Sequence, residues 1–566
     1  MFWKELKFFI IFFVIGFFLF LIAQTVNAQS SVDFYIERDF DALGRTKIEA
    51  VFVKNSSNLY FYIEKNWWES QLQIKQNEIL KSLDQLSIEF QNKIYPTLTS
   101  IFGYERNPGI DSDSKITILF HPVKGAEVGY LRTADGYEKI QITSSNEREM
   151  FYISTELLGD PKLKTAVAHE FLHLITFNQK NINFGVEDDV WLNEARADFS
   201  ATILGYNDKG ETEILKSRIR DFAESPSDSI TEWRGLKYDY ASVSLFIHYL
   251  TDHYGIKILA DSLKSKYTGI ESINFALEKN GYKERFADIF TDWTIATVLN
   301  DCSIGKKYCY LNNNLKDIKI YPNVNFLPVS GSASLSVIHS TKNWAGNWQK
   351  FIGGNGDLTL EFYSYNEPKF VVPYILESKE GKYSVNWLNF NNSTKGDVEI
   401  ANFGDKYKSL IIIPSLQAKI SDFNGSDIAY PFNYSVNVGP NSDTHNQYLI
   451  QQLLEQIESL KKQIAELQNN ISGGLTISCS SINNNLYLGI KNNNEVKCLQ
   501  NFLKSQGSSI YPEGLITGNF GVLTYRAVIR FQEKYASEIL FPLGLNKGTG
   551  YVGLSTRNKI NQILSS

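Results

Sequence analysis

Residues 165–198 read TAVAHEFLHLITFNQKNINFGVEDDVWLNEARAD, and this stretch decides how the rest of the chain is interpreted. Its core is the pattern H-E-x-x-H, from His169 to His173. Side chains four positions apart lie on one face of a helix, one turn above the other. Both imidazoles can therefore point at a single zinc ion, with Glu170 beside them. A catalytic zinc takes three protein ligands and keeps one position open, so the pattern predicts one further ligand.

The candidate third ligand is Glu194, which lies downstream in the sequence Trp191–Asp198. Asp198 follows one helical turn later on the same face, where it can accept the second ring N–H of a ligating histidine. An amphipathic helix whose polar residues face solvent is the alternative. That alternative does not explain why two acidic residues recur at helical spacing among apolar neighbours. Asp160-Pro161 predicts where the first helix begins, because an acidic N-cap followed by proline is a helix-start signal.

H-E-x-x-H followed by N-E-x-x-A-D resembles the gluzincin metallopeptidases, the class typified by thermolysin. The likeness is close over residues 165–198 and loose over 32–320. It implies an α+β zincin-like catalytic domain over 32–320. It also implies Zn²⁺ ligands at His169, His173 and Glu194, a general base at Glu170 and an outer-shell carboxylate at Asp198. The sequence departs from thermolysin almost everywhere else, so the substrate preference of thermolysin is not carried over.

Residues 238–250 form an aromatic-rich amphipathic pattern that predicts a helix after the metal-binding stretch. Tyr240 near its start is the candidate that would stabilise the oxyanion of peptide hydrolysis, as the tyrosine of gluzincin aminopeptidases does. Tyr238 and His248 are the alternatives. The resemblance also implies that the strand within 144–153 is an edge strand that pairs with substrate backbone; an ordinary sheet strand is the alternative.

The chain has 566 residues, which predicts three or four domains. Its net charge of −6 is small for this length and argues against nucleic acid as a partner. Residues 1–28 combine two lysines, a long apolar run and the small-residue site Val26-Asn27-Ala28. This is typical of a signal peptide and predicts export to the cell exterior or the cell wall. An uncleaved membrane anchor is the alternative, although spanning a bilayer takes about 20 apolar residues.

The chain has four cysteines, an even number, and in an exported protein this predicts disulfide bonds. Proximity along the sequence favours the pairs Cys302–Cys309 and Cys479–Cys498. Free buried thiols are the alternative.

Short alternating runs separated by turn residues fill 324–438 and predict a β-sandwich domain that serves as a spacer. Contact with substrate or carbohydrate is the alternative. Earlier in the chain, the acidic turn around Asp111 and Asp113 could bind Ca²⁺. Two acids make a weak site, so a plain turn is favoured there.

A heptad pattern spans 446–469, with isoleucine at one core position and leucine at the other. Ile450, Ile457 and Ile464 are seven residues apart, and a leucine follows each of them by three. This arrangement favours a parallel two-stranded coiled coil and hence a homodimer. A single stalk helix is the alternative.

Residues 476–564 contain V-x-x-L-Q-x-x-L at 496–503 and G-x-F-G-x-x-T-x-x-A-V-x-x-F-Q at 518–532. These motifs resemble the peptidoglycan-binding domain with three helices. The resemblance implies binding to cell-wall glycan or to its stem peptide. A helical module that has lost binding is the alternative.

Together these features predict a secreted zinc metalloendopeptidase held at the cell wall by its C-terminal domain. A hydrolase of peptidoglycan stem peptides and a non-catalytic wall-binding adhesin are the alternatives. An aminopeptidase is disfavoured, because no sequence of the type Gly-x-Met-Glu-Asn precedes the metal-binding helix.

Overall fold

The computed structural model describes residues 30–125, 128–207, 214–329, 331–365, 369–390, 394–418, 429–439, 457 and 479–565. The predicted signal peptide lies outside these residues, and so does the predicted coiled coil except for Ile457. Within the described ranges, no helix is both long and apolar enough to pass through a bilayer. The chain is a multidomain protein of helices and β-sheets, as predicted.

A six-stranded sheet opens the described chain, with strand order β1-β2-β3-β4-β6-β5. Strands β3, β4 and β6 are parallel, whereas β1, β2 and β5 pair antiparallel with their neighbours. Every residue of β4 and β6 is buried, as is usual for strands covered on both faces. The strands are β1 Ser31–Tyr35, β2 Lys47–Asn55, β3 Leu59–Glu64, β4 Ile116–His121, β5 Gly129–Tyr130 and β6 Met150–Ser154.

The edge strand is not the one that the resemblance implied. Strand β6 lies between β4 and β5, so the two-residue strand β5 ends the sheet. Residues 144–149 form no strand; Asn146 accepts from the backbone N–H of Tyr35 and donates to its carbonyl, at 2.9 Å each. A strand as short as β5 leaves no alternation in the sequence, which is why the pattern pointed to its longer neighbour.

Four helices accompany this sheet: α1 Lys65–Glu69, α2 Gln73–Glu89, α3 Tyr95–Phe102 and α4 Leu163–Thr176. A π-helical turn, Phe90–Ile94, joins α2 to α3, and another, Phe177–Ile182, follows α4. Helix α4 begins two residues after the predicted Asp160-Pro161 signal. Asp160 still acts there, because its carboxylate accepts the backbone N–H of Lys162 at 2.7 Å.

Six further helices follow in the described part of the chain. They are α5 Val190–Ile203, α6 Ile214–Glu224, α7 Lys237–Tyr254, α8 Lys257–Leu263, α9 Gly269–Lys279 and α10 Phe286–Leu299. Helix α7 corresponds to the predicted aromatic helix, and α10 is buried at most of its positions. The loop after α10 carries the disulfide Cys302–Cys309, as predicted.

The described residues between 323 and 438 form strands and loops without a helix, in agreement with the sequence pattern, while the sandwich assignment stays a prediction. Hydrogen bonds join ten strands into one branched sheet, and β11 pairs with β17 apart from it. In β10, Leu358, Leu360 and Phe362 point inward between half-buried or exposed residues, which is the expected period of two. The strands are β7 Asn323–Leu327, β8 Ala333–Thr341, β9 Gln349–Gly353, β10 Gly356–Ser364, β11 Phe370–Val371, β12 Pro373–Ser378, β13 Tyr383–Trp387, β14 Asn389–Phe390, β15 Lys395–Phe403, β16 Tyr407–Ile412, β17 Ser415–Leu416 and β18 Tyr430–Val438.

This β domain packs directly against helix α10. Trp348 donates its indole N–H to the carbonyl of Thr294 at 2.9 Å, and the Gln417 amide donates to the Thr291 hydroxyl at 2.7 Å. Trp344, in the same loop as Trp348, is only 5% exposed. The β domain is therefore joined to the helical region by buried contacts, while its role as a spacer stays a prediction.

The C-terminal domain contains α11 Asn494–Ser505, α12 Val522–Lys534, the short α13 Ala536–Ile539 and α14 Leu554–Leu564. The predicted disulfide Cys479–Cys498 is present. Two buried glutamines, Gln500 and Gln532, each accept two backbone N–H groups of a Thr-Gly turn, at 2.8 and 2.9 Å. The second of these arrangements repeats the first at the same spacing along the chain, which reveals an internal repeat behind the motifs quoted above.

Candidate metal centre

The two histidines of H-E-x-x-H lie one turn apart on α4, as the spacing predicts. Their Nε2 atoms are 3.0 Å apart, and His173 is 7% exposed. Between them on the chain, Phe171 turns to the opposite side and packs against the rings of Phe90 and Tyr95, with centroids 5.0 and 5.5 Å away. Aromatic packing therefore fixes the rotation of α4 and with it the direction of both imidazoles.

Glu170 is 2% exposed and lies close to the edge strand of the sheet. A Cβ atom at Gly129 in β5 would lie 3.0 Å from Oε1 of Glu170 and 2.7 Å from the backbone oxygen of Tyr152. A glycine at this position thus lets the edge strand come up against the carboxylate. Gly129 could not be predicted from the sequence, since nothing in the pattern distinguishes it from a turn glycine.

A series of buried polar contacts connects β5 to β4 and to the loop after β1. The Tyr130 hydroxyl lies 3.0 Å from Nε2 of His121, whose Nδ1 lies 3.3 Å from Oδ1 of Asp41. The Tyr130 ring stacks on Tyr152 with centroids 4.4 Å apart. Burial lowers the pKa of His121 to about 4, with Asp41 opposing that shift. The imidazole is therefore neutral at neutral pH.

Helix α5 carries the predicted third ligand, and its start is anchored by a buried ion pair. Arg196 is completely buried; Nη1 donates to Asp188 at 2.6 Å and Nη2 to the Ser262 hydroxyl at 2.9 Å. Since Arg196 lies between Glu194 and Asp198 along the chain, this anchor restricts how the helix can rotate. Both acidic side chains are presented away from the Arg196 side.

One donor atom each from His169, His173 and Glu194 lies within 4.8 Å of the other two. Within the described residues this is the one such group of three His, Cys, Asp or Glu side chains. Two imidazoles and one carboxylate are the donor set of a catalytic zinc site. Tetrahedral ligands at a Zn–N distance of about 2.0–2.1 Å stand about 3.3 Å apart, close to the observed separation of the two Nε2 atoms. The donors thus fit a zinc ion.

Asp198, the predicted outer-shell residue, accepts a hydrogen bond from Nη2 of Arg218 at 2.9 Å. Arg218 lies on α6 and was not found from the sequence, because it belongs to no motif. Burial lowers its pKa and the charge of Asp198 raises it, with a net rise. The guanidinium carbon of Arg218 also lies 4.6 Å from the centroid of the Tyr240 ring.

Tyr240 and its two alternatives lie in different surroundings. The Tyr240 ring contacts the Arg218 guanidinium and the edge-on ring of Trp233, 4.7 Å away. In His248 both ring nitrogens have partners, Nδ1 with the Ser244 carbonyl at 2.7 Å and Nε2 with the Thr202 hydroxyl at 2.9 Å. The Tyr238 hydroxyl lies 3.4 Å from the exposed Glu224. The oxyanion role of Tyr240 stays a prediction.

The acidic turn considered for calcium is held by ordinary hydrogen bonds. Asp113 accepts from the Tyr60 hydroxyl at 2.8 Å and from the backbone N–H of Lys115 at 3.0 Å. Asp111 accepts the backbone N–H of Asp113 at 3.0 Å. These contacts are typical of a tight turn, and within the described residues the turn does not form a group of three metal-binding side chains.

Comparison with known proteins gives matches to two parts of the predicted architecture. Residues 492–560 match the family model of a peptidoglycan-binding domain. The chain is also 30% identical over 243 residues to the neutral metalloprotease ShpI of Staphylococcus hyicus. That alignment covers 38% of this chain and 53% of ShpI, so the chain spans about half the length of this relative. These matches support a metalloprotease with a peptidoglycan-binding domain.

Some solved structures resemble about a fifth of the chain. They include the pre-peptidase C-terminal domain of a collagenase from Bacillus anthracis, with 9% identity, 20% of this chain and 96% of that chain covered, and a TM-score of 0.14. PliG of Aeromonas hydrophila, a periplasmic inhibitor of g-type lysozyme, has 11% identity, 20% and 97% coverage, and a TM-score of 0.14. Likenesses of this size carry no argument about function.

Proposed function

We propose that this protein is an exported zinc metalloendopeptidase of the gluzincin type, held at the cell wall by its C-terminal domain. The observation that carries the proposal is the approach of His169, His173 and Glu194 to within 4.8 Å of one another. The similarity to ShpI supports peptide hydrolysis, and the match over 492–560 supports attachment to peptidoglycan. Two disulfides agree with folding outside the reducing cytoplasm.

In this proposal the two histidines and Glu194 hold the zinc ion. When bound, zinc acts as a Lewis acid that makes water nucleophilic near neutral pH. Glu170 takes the proton of the attacking water and passes it to the leaving amine, as a general base and then a general acid. Its burial beside Gly129 keeps bulk water away from the carboxylate. Asp198 accepts a ring N–H of a ligand histidine and so fixes the tautomer of that imidazole.

The substrate backbone would lie along β5, the last strand of the sheet, and pair with it by main-chain hydrogen bonds. Such pairing holds any peptide in extended form with little dependence on side chains. The Tyr240 hydroxyl would donate to the oxyanion that forms on the scissile carbonyl. Together these groups would account for an endopeptidase with little sequence preference.

The variant Glu170→Gln tests the proposed reaction. It should bind one zinc per chain like the wild type, and its hydrolysis of a peptide library should fall by at least ~100-fold, the usual contribution of a general base. Glu156→Gln is a matched control, since Glu156 is exposed and lies in the short 3-10 helix Thr155–Leu157 before α4. Zinc content by elemental analysis and cleavage by mass spectrometry are measured on the same samples. Substantial hydrolysis by Glu170→Gln at normal zinc content would refute the assigned role.

Hydrolysis of peptidoglycan stem peptides is the second candidate, favoured by the match over 492–560. Digestion of purified sacculi and of casein by the same preparation separates the two. If free amino groups are released from sacculi and not from casein, the protein is a wall hydrolase and not a general endopeptidase. If the wild-type protein contains no zinc and cleaves neither substrate, the wall-binding adhesin is the remaining interpretation.

A further inference from the structure

Arg218 contacts both of the residues proposed to assist the reaction from outside the metal ligands. Its Nη2 is 2.9 Å from Oδ1 of Asp198, and its guanidinium carbon is 4.6 Å from the centre of the Tyr240 ring. The three residues come from three helices, α6, α5 and α7. The side chains of Arg218 and Asp198 are only 18% and 7% exposed, so water screens their attraction weakly.

We propose that Arg218 is a positioning residue, which orients the Asp198 carboxylate and the Tyr240 ring with one cation. This inference rests on the proposed function. An arginine suits the task because its planar guanidinium can donate in its own plane while its face lies over an aromatic ring. A lysine ammonium is a point charge with no such plane. Arg218 therefore couples the outer-shell carboxylate to the oxyanion donor.

The cation also fixes the direction of its two partners. The hydrogen bond from Nη2 orients the Asp198 carboxylate, which in the proposed site accepts a histidine N–H. The cation–π contact holds the Tyr240 ring and so orients its hydroxyl. Both effects favour the transition state more than the bound substrate, so removing Arg218 should lower kcat more than it raises KM.

A second arginine on the same helix serves to separate a positioning role of Arg218 from a general effect of charge on stability. Arg220, on the same helix, is 69% exposed and lies 3.6 Å from the neighbouring Asp221, as an ordinary surface arginine does. Pairs of that kind contribute little. Arg220→Met is therefore a matched control for Arg218→Met: it removes the same kind of charge from the same helix without touching Asp198 or Tyr240.

The test compares Arg218→Lys, Arg218→Met, Tyr240→Phe, the double variant Arg218→Met/Tyr240→Phe and the Arg220→Met control at saturating zinc. Loss of an outer-shell partner costs about 10- to 100-fold, so we expect kcat to fall about tenfold for the lysine variant and up to ~100-fold for the methionine variant. The double variant should lose little beyond the larger single loss. Zinc content and thermal midpoint, measured on every variant, should stay near the wild type in Arg218→Lys.

Three results would overturn the proposal. Wild-type kcat in Arg218→Lys would show that the planar group is not needed, and this variant carries the test if Arg218→Met fails to fold. Fold-losses that multiply in the double variant would show that Arg218 and Tyr240 act independently. Wild-type kcat in Tyr240→Phe would show that the Tyr240 hydroxyl does not contribute to the reaction, so Arg218 could not act through it. Failure of the proposed function is recognised separately, by full activity of Glu170→Gln.

Discussion

Replacing Gly129 with alanine tests whether the edge strand sets the position of the proposed general base. The added Cβ would lie 2.7 Å from the backbone oxygen of Tyr152, 2.9 Å from Cδ1 of Ile153 and 3.0 Å from Oε1 of Glu170. Even close carbon–oxygen contacts usually lie at about 3.3–3.6 Å, so the first contact is about 0.6 Å too short. The Tyr152 oxygen belongs to the backbone of a buried strand and cannot rotate away.

The overlap can be relieved in two ways, and both disturb the site. Either β5 moves outward from β6, or the Glu170 carboxylate turns away from the strand. Overpacking of this kind costs about 1–3 kcal/mol of stability. A displacement of about 1 Å at a reacting group can cost about 10²-fold in rate, so a shift of about 0.6 Å should lower kcat/KM of Gly129→Ala by about 10- to 100-fold. Zinc should still bind, since no ligand is touched.

The assay is steady-state hydrolysis of a fluorogenic peptide, with zinc analysis and urea unfolding on the same preparations. Gly521→Ala is the control, because a Cβ at Gly521 meets nothing within 4 Å and its φ of −88° suits alanine. That variant should keep wild-type activity. Wild-type kcat/KM and stability in Gly129→Ala would refute the reasoning, since they would mean that strand and carboxylate are not in contact in solution.

Two further predictions concern stability. Burial lowers the pKa of His121 in the folded protein to about 4, below its ordinary 6.5, so between these pH values the unfolded chain binds the extra proton. The free energy of unfolding should therefore fall by up to about 3 kcal/mol as the pH falls from 6.5 to 4. Urea unfolding at several pH values measures this, and an equal pH dependence in wild type and His121→Gln would contradict it. Trp344→Ala should cost about 3–5 kcal/mol, because the ring packs against Phe286 at 4.9 Å. Trp387→Ala should lower the free energy of unfolding far less, because Trp387 is 42% exposed. Equal losses of unfolding free energy in the two variants, measured by urea titration, would contradict this.

Local features of the chain could be predicted because they leave a signal within a few residues. The helical spacing of His169 and His173 and the recurrence of Glu194 and Asp198 define faces of helices, and the structure has helices at both places. Alternation over 324–438 likewise predicted strands. The disulfide pairings followed from short sequence separations, which close small loops.

Features that depend on distant parts of the chain could not be predicted in this way. Arg218 lies on a helix with no motif, and its contacts with Asp198 and Tyr240 arise only when three helices pack together. The edge strand β5 has two residues, too few for any periodicity. Gly129 resembles any loop glycine until a neighbouring carboxylate is placed beside it.

The contacts of the β domain with the helical region could not be predicted from composition, because they join charged residues far apart in the sequence. Lys342, at the end of β8, forms an ion pair with the fully buried Glu232, which also lies 3.4 Å from Nε of Arg234. Arg234 in turn pairs with Asp239, 3.1 Å away in the first turn of α7, directly before Tyr240. Removing one partner of a buried ion pair usually costs about 3–5 kcal/mol. The β domain therefore contributes a positive charge to the ion-pair cluster at the start of α7, the helix that carries the proposed oxyanion donor.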